Sequence, residues 1–278
     1  WDLKRLCDEA GEAEIQAEAM RCTPETYLAY ATSMRPPYAD GVVPDESPLY
    51  LFDAQLPQRL GDNWNVPALL GRNEKGKAQE GGGEWDHDLF GLLGERRPDY
   101  RWVIAGPERS GSGWHKDPNA TSAWNTILSG SKHWLFLPPH VTPPGVFVSH
   151  DEGEVTAPLS LAEWAEGYLE ECRRRHGERG DGMLLEGRCE EGETVYVPTG
   201  WWHCVVNTSE CVAFTQNLVS RHELGAVLDF MKSRPTHVSG FKRAPSSCAP
   251  LYGLFCARLR EYDEALLEDA LRQVREKE

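Results

Sequence analysis

Several absences narrow the chemistry open to this chain. No apolar run approaches the ~18–20 residues of a membrane-crossing helix, so helical membrane spanning is excluded. No charged-then-apolar leader opens the chain, and because it begins at Trp1 an upstream piece is expected. None of the eight cysteines stands in a C-x-x-C pair, the spacing typical of zinc and dithiol sites. Scattered in this way, they read as reduced, often buried thiols of a cytosolic or nuclear protein. The Gly-rich stretch from Gly61 to Glu84 is followed by no Lys-Ser/Thr, so it reads as a surface loop rather than a phosphate cradle. Positive charge is also scarce. With 29 Lys and Arg against 44 Asp and Glu, the net charge of −15 disfavours direct nucleic-acid binding. The same field attracts a basic peptide, although acidity also serves solubility alone.

What is present suits a globular protein: 278 residues, 40% hydrophobic and 26% charged. From Trp1 to Met34 the pattern is helical, with Thr23 capping a helix that opens on Pro24 and stops at Pro36-Pro37. From Tyr100 the texture changes to short runs rich in Val, Ile, Trp, Phe and Thr: RWVIAGP, TSAWNTILSG, KHWLFLPP, GETVYVPTGWWH and CVAFTQNLV. Punctuated by Gly and Pro, they predict antiparallel strands. A capping box of Ser160 and Glu163 opens one helical insertion, at about 158–177, whose basic end RRRHGER reads as a solvated face. A second box, Ser220 with Glu223, marks the return to helix, and Leu and Tyr recur at helical spacing from Leu251 to Val274. There is no internal repeat. The expected fold is a mainly β barrel or sandwich with helices before, within and after it.

His115-Lys116-Asp117 is the first candidate for chemistry, since alternate strand residues share a face and bring an imidazole and a carboxylate to one ion. His-x-Asp/Glu is weak evidence alone: nine His and 44 carboxylates produce it about 1.4 times by chance, and it occurs three times here. His150 lies in an acidic string and His176 ends the charged helix, so neither has a rigid sheet behind it. His115 follows a strand and the tight loop RSGSG and leads through Pro118 into another strand. His203, far along the chain in GETVYVPTGWWHCVVN, is flanked by strand-like runs. Two near ligands and one distant one fit a two-His-one-carboxylate facial triad, which leaves metal positions open for oxygen and a cosubstrate. Taken alone Lys132 reads as an edge-strand lysine, but it sits among Trp134, Leu135 and Phe136, where a buried ammonium needs a charged partner such as a dicarboxylate.

These residues carry a resemblance. The run GPERSGSGWHKDPNATSAWNTILSGSKHW, with GETVYVPTGWWHCVVN, VAFTQNLVS and SPLYLFD around Tyr50, resembles the Jumonji C (JmjC) oxygenases of the double-stranded β-helix, or cupin-like jelly-roll, class. Within them it is most similar to the bifunctional arginine demethylase and lysyl-hydroxylase subgroup. The likeness implies an N-terminal helical region at 1–48, a jelly-roll catalytic domain at 49–220 and a C-terminal helical region at 221–278.

The resemblance further implies that His115, Asp117 and His203 hold Fe(II), and that Lys132 pairs with the far carboxylate of 2-oxoglutarate. Tyr50 and Thr215 would add hydroxyls to that carboxylate; Asn125, Ser112 and Asn217 would line the same pocket. Position 112 is Ser where relatives commonly have Thr, which keeps the hydroxyl. Trp124, Trp134 and Trp201 read as aromatics that keep the pocket dry, or as plain core. The implied activity uses molecular oxygen on a Lys/Arg-rich protein, a histone tail or an RNA-processing protein. Hydroxylating a lysine leaves a stable alcohol, whereas hydroxylating an N-methyl group leaves a hemiaminal that collapses to formaldehyde. An RNA or small-molecule hydroxylase and a catalytically idle module binding basic proteins are the alternatives. The expected location is nuclear by resemblance, or cytoplasmic; the C-terminal helices are expected either to form a homodimer or to pack on the barrel.

Overall fold

The computed structural model of the protein describes residues 1–41, 43–61, 88–150, 152–242 and 250–276, so all but the first residue of the Gly61–Glu84 stretch lies outside the described residues. Taking those described, residues 1–61, 101–116 and 124–215 form one compact unit, and 88–100, 117–123 and 216–276 form another. In chain order the elements are α1 (Leu3–Ala10), β1 (Ile15–Ala17), β2 (Met20–Cys22), α2 (Pro24–Ser33), β3 (Leu51–Asp53), α3 (Leu56–Arg59) and β4 (Arg101–Gly106). There follow β5 (Gly111–His115), β6 (Ser122–Ser129), β7 (Ser131–Leu137), β8 (Phe147–Val148), β9 (Val155–Thr156), α4 (Leu161–His176), β10 (Leu185–Glu190) and β11 (Thr194–Val197). The chain closes with β12 (Trp202–Asn207), β13 (Cys211–Leu218), α5 (Leu224–Ser233), α6 (Leu251–Tyr262) and α7 (Glu264–Arg275).

The strands make a sheet of order β11-β6-β13-β4-β3-β1-β2 and a second of order β10-β7-β12-β5, with β8 and β9 paired apart. Most neighbours in space are distant in sequence, the connectivity of a jelly roll. The five apolar runs from Tyr100 onward became β4, β6, β7, β11–β12 and β13. The turn from β6 to β7 requires glycine: Gly130 has φ +80°, and a Cβ there would lie 2.0 Å from the Glu210 carbonyl oxygen.

Helix α4 opens on the expected Ser160–Glu163 pair, with the return bond one residue ahead of the N-cap. Ser160 Oγ accepts from Glu163 N at 3.0 Å, and Glu163 reaches back to Leu159 N at 2.9 Å. Its buried Trp164 and Cys172 pack with Trp114, Leu135, Trp202 and Cys204 on one face of the β10-β7-β12-β5 sheet. The basic run at its end is threaded with ion pairs; Arg173 meets Glu186 at 2.6 Å and Glu170 at 3.0 Å.

Three local expectations are corrected. The segment from Trp1 to Met34 is not helical throughout: Gly11, at φ +65°, ends α1, and the β1–β2 hairpin follows, with β1 pairing to β3 at Ala17↔Leu51. Ile15 and Ala17 alternate inward in the two-residue period of a half-buried strand, which the surrounding helical spacing masks. RSGSG is not simply a loop, since Gly111–His115 is strand β5. Ser220 and Glu223 do make contact, Ser220 N donating to Glu223 Oε2 at 3.2 Å, yet α5 starts only at Leu224. Residues 221–223 form a turn, so the side-chain exchange closes that turn instead of capping the helix.

In the second unit Asp88 fixes the chain. Its Oδ1 accepts from Phe90 N and Val219 N at 3.1 and 3.0 Å, and Arg97 pairs with its other oxygen. Leu89, Phe90, Val227, Phe255, Leu267 and Val274 are buried there together, so the apolar stripes of α5, α6 and α7 are spent largely on one another.

Candidate metal and cosubstrate site

His115 ends β5 and His203 lies near the start of β12, and antiparallel pairing sets the two directly opposite each other. Their ring centroids are 4.1 Å apart. Asp117 follows His115 by two residues, just before a short 3-10 turn at Pro118–Ala120. One ligand atom from each of His115, Asp117 and His203 lies within 4.8 Å of the other two. Among the described residues this is the only such cluster; His150 is not part of it, and His176 instead meets Asp181 at 2.8 Å.

The residues fit a divalent metal for a reason visible in their hydrogen bonds. His115 Nδ1 meets the Gly113 carbonyl at 2.7 Å and His203 Nδ1 meets the Trp201 carbonyl at 3.2 Å. A carbonyl accepts only, so each Nδ1 is the donor and each Nε2 is the ring nitrogen turned to the cluster side of that bond, the orientation a metal needs. Burial, and secondarily the neighbouring His115, hold His203 well below the ordinary imidazole value, which keeps that ring neutral. Asp117 is oriented by Asn217, whose Nδ2 donates to Asp117 Oδ1 at 3.0 Å and to Thr121 Oγ1 at 2.9 Å. Two neutral imidazoles and one carboxylate are the donor set for ferrous iron.

Strand alternation carries the site along β12. His203, Val205 and Asn207 share a face and pair with Phe136, Trp134 and Lys132 of β7. Trp134 and Phe136 stack at 5.5 Å and lie 6.3 and 6.2 Å from the His203 ring, forming an apolar wall beside it. Lys132 is fully buried, donating from Nζ to Tyr50 Oη at 2.6 Å and to Asn207 Oδ1 at 2.7 Å. Among the described residues no carboxylate pairs with it, and burial pushes its ammonium down to about 8. Asn207 lies four positions beyond His203, about 13 Å at ~3.3 Å per residue, so the lysine stands farther along the same sheet face that carries the histidine. A dianion lying along that face would meet the cluster at one end and the ammonium at the other.

The remaining sequence candidates fall in different places. Tyr50 is buried and accepts from Lys132, so its own proton is left to donate onward. Asn125 is buried and its Oδ1 accepts from no described group; a carboxylate has no proton for that oxygen, so only the Nδ2 of Asn125 could serve the cosubstrate. Thr215 Oγ1 donates to the Trp124 carbonyl at 2.9 Å, leaving its lone pairs but no proton to offer a carboxylate. Asn217 holds Asp117 and Thr121, which sets its amide on the metal ligand rather than on the lysine end. Simple alternation from His115 would turn Ser112 outward. A bulge against His203–Val205 inserts one residue into β5, and Ser112 instead pairs with the inward-facing Val205. Trp124 and Trp134 are buried, whereas Trp201 contributes its backbone carbonyl to His203.

Sequence reasoning missed Asn207 and Tyr27. Asn207 accepts from Lys132 while its Nδ2 donates to Ser110 Oγ at 2.9 Å, and the two-residue period running on from His203 was its signal. Tyr27 Oη donates toward the Leu49 and Ala105 carbonyls at 3.0 and 2.9 Å and accepts from Leu51 N, clamping the backbone on both sides of Tyr50. Only the folded chain joins residues so far apart.

Residues 102–218 match the family described as JmjC domain, hydroxylase. The chain is similar to the arginine-specific demethylase JMJ22 of Arabidopsis thaliana, at 37% identity over 84% of this chain and 41% of that protein. It is similar to the bifunctional arginine demethylase and lysyl-hydroxylase psr-1 of Caenorhabditis elegans, at 32% identity over 69% of this chain and 45% of that one. It is also similar to the 2-oxoglutarate and iron-dependent oxygenase JMJD4 of Mus musculus, at 27% identity over 54% of this chain and 33% of that one. The chain spans less than half the length of each of these curated relatives.

Proposed function

From the JmjC domain carried at residues 102–218, we propose that this protein is an Fe(II)- and 2-oxoglutarate-dependent oxygenase acting on Lys/Arg-rich protein segments. It hydroxylates lysine side chains, removes N-methyl groups from arginine or lysine, or does both. The observation that carries this reading is the convergence of His115, Asp117 and His203 on a sheet face that also carries a buried lysine pairing with no carboxylate among the described residues.

In this reading His115, Asp117 and His203 hold the ferrous ion and Lys132 holds the distal carboxylate of the cosubstrate. When bound, iron and 2-oxoglutarate together supply the oxidising power that places oxygen on a substrate C–H bond. The protein's contribution is positional. Asn217 keeps the Asp117 carboxylate turned to the cluster, the carbonyls of Gly113 and Trp201 keep both imidazoles in the ligating tautomer, and Trp134 and Phe136 exclude water beside His203. The net charge of −15 favours a basic peptide over a nucleic acid, and the names of two relatives point the same way. A nuclear or cytoplasmic location fits such substrates.

The test is mass spectrometry of methylated and unmethylated Lys/Arg-rich peptides incubated with the protein, Fe(II), 2-oxoglutarate and oxygen. A gain of about 16 Da on lysine, or a loss of about 14 Da on a methylated residue, is expected. His115→Ala and Asp117→Ala should abolish either change. Turnover on RNA with none on peptides, or uncoupled succinate formation equally negligible in the parent and both variants, refutes the proposal.

A further inference from the structure

The sheet that carries His203 has a second face. Val205 and Asn207 turn with His203 toward the cluster, whereas Cys204 and Val206 turn the other way, as do His133 and Leu135 of β7. Between that rear face and helix α4 lies a cavity of about 240 Å³ walled by Leu135, Leu161, Trp164, Leu169, Cys204 and Val206. Arg109 also lines it.

The arginine is the unusual part. Its Nη2 is buried, and among the described residues nothing accepts a hydrogen bond from it. The other charged groups of the lining are already engaged: Arg173 with Glu186 and Glu170, His133 with Glu186, and Glu46 with Ser160 Oγ. The backbone at Arg109 sits at φ +75°, with its N–H donating to the Asn207 carbonyl at 2.8 Å, so the residue is tied to β12 in a conformation other than glycine rarely adopts. A planar guanidinium on the lining of a cavity with apolar walls, with no acceptor at its Nη2, matches a carboxylate that carries a hydrocarbon body. The volume equals roughly eight waters at ~30 Å³ each, which suits a body of about that many carbons.

We propose that this cavity is a second ligand site, on the opposite sheet face from the His115–Asp117–His203 cluster, for a small hydrophobic carboxylate of medium-chain fatty-acid size. The carboxylate accepts from Arg109, and the chain lies against Leu135, Leu169 and Trp164. The site does not depend on the oxygenase reading, because none of its lining residues belongs to the metal cluster or to the Lys132–Tyr50–Asn207 group.

Octanoate is the probe, titrated below its micellar range into the full chain labelled at Leu and Val methyls, with 1-octanol as the uncharged control. Saturable shifts at Leu135, Leu161, Leu169 and Val206 are expected with octanoate, and affinity for octanol should be lower by about ten- to a hundredfold, the loss expected of a charge-assisted hydrogen bond. Arg109→Met keeps the long stem and should weaken octanoate by the same factor while leaving octanol unchanged. Ala165→Trp, at an exposed position of α4 on the cavity lining, should block both ligands with the methyl spectrum otherwise intact. Absence of saturation, equal affinity for octanoate and octanol, or an Arg109→Met variant within twofold of the parent each overturns the proposal.

Discussion

Lys132 offers a direct measurement of what the fold holds in readiness. Its ammonium is buried with two neutral partners, Tyr50 and Asn207, and burial lowers it from an ordinary 10.5 to about 8. Between those values the unfolded chain binds the proton that the folded chain has released, so stability must rise with pH through that window. At pH 7 the buried charge costs about 3 kcal/mol; by pH 9.5 well over half of that is relieved, a gain near 2 kcal/mol. Other groups titrate in the same range, so the informative quantity is the difference between the parent and Lys132→Met. Urea unfolding of both without cosubstrate, at pH 7 and pH 9.5, should show the parent gaining about 2 kcal/mol on the variant. Adding a divalent metal and 2-oxoglutarate should flatten that gain, because a carboxylate beside the ammonium restores its proton. A parent-minus-variant difference flat to within about 0.5 kcal/mol would mean that Lys132 is not an uncompensated buried cation, and the argument for a dianion beside it would go with it.

Other outcomes follow from the same geometry. Asn217→Ala should weaken Fe(II) binding about ten- to a hundredfold, measured by metal titration, while near-UV dichroism stays unchanged, since only its bonds to Asp117 and Thr121 are lost. Tyr27→Phe removes one hydroxyl serving three backbone groups and should cost about 1–3 kcal/mol in urea unfolding, with weaker 2-oxoglutarate binding because Tyr50 is no longer clamped. Trp164→Ala should cost about 3–5 kcal/mol, as expected of emptying a buried aromatic site whose indole N–H also donates to Pro144 at 2.8 Å. Thr23→Ala should cost only about 1 kcal/mol, the worth of the single cap bond to Thr26 N.

Much was decided by the order of residues alone. The strand runs, the Thr23-Pro24 and Ser160–Glu163 helix starts and the adjacency of His115 and Asp117 depend on contacts within a few residues, so local sequence is sufficient to specify them. The hairpin at Ile15–Cys22 was hidden because three-residue strands take their conformation from the sheet they join, and that sheet lies elsewhere in the chain. The delayed start of α5 is a contest between two local options that Ser220 and Glu223 cannot settle by themselves. The bulge that turns Ser112 inward, the facing of His203 to His115, the pairing of Lys132 with Asn207 and the clamp on Tyr50 all join residues that only antiparallel register brings together. Register is set by the burial of whole faces. Which side chains could do chemistry was therefore written in the chain, whereas which of them meet, and which cation is left buried without an anion, was settled by packing two sheets at once.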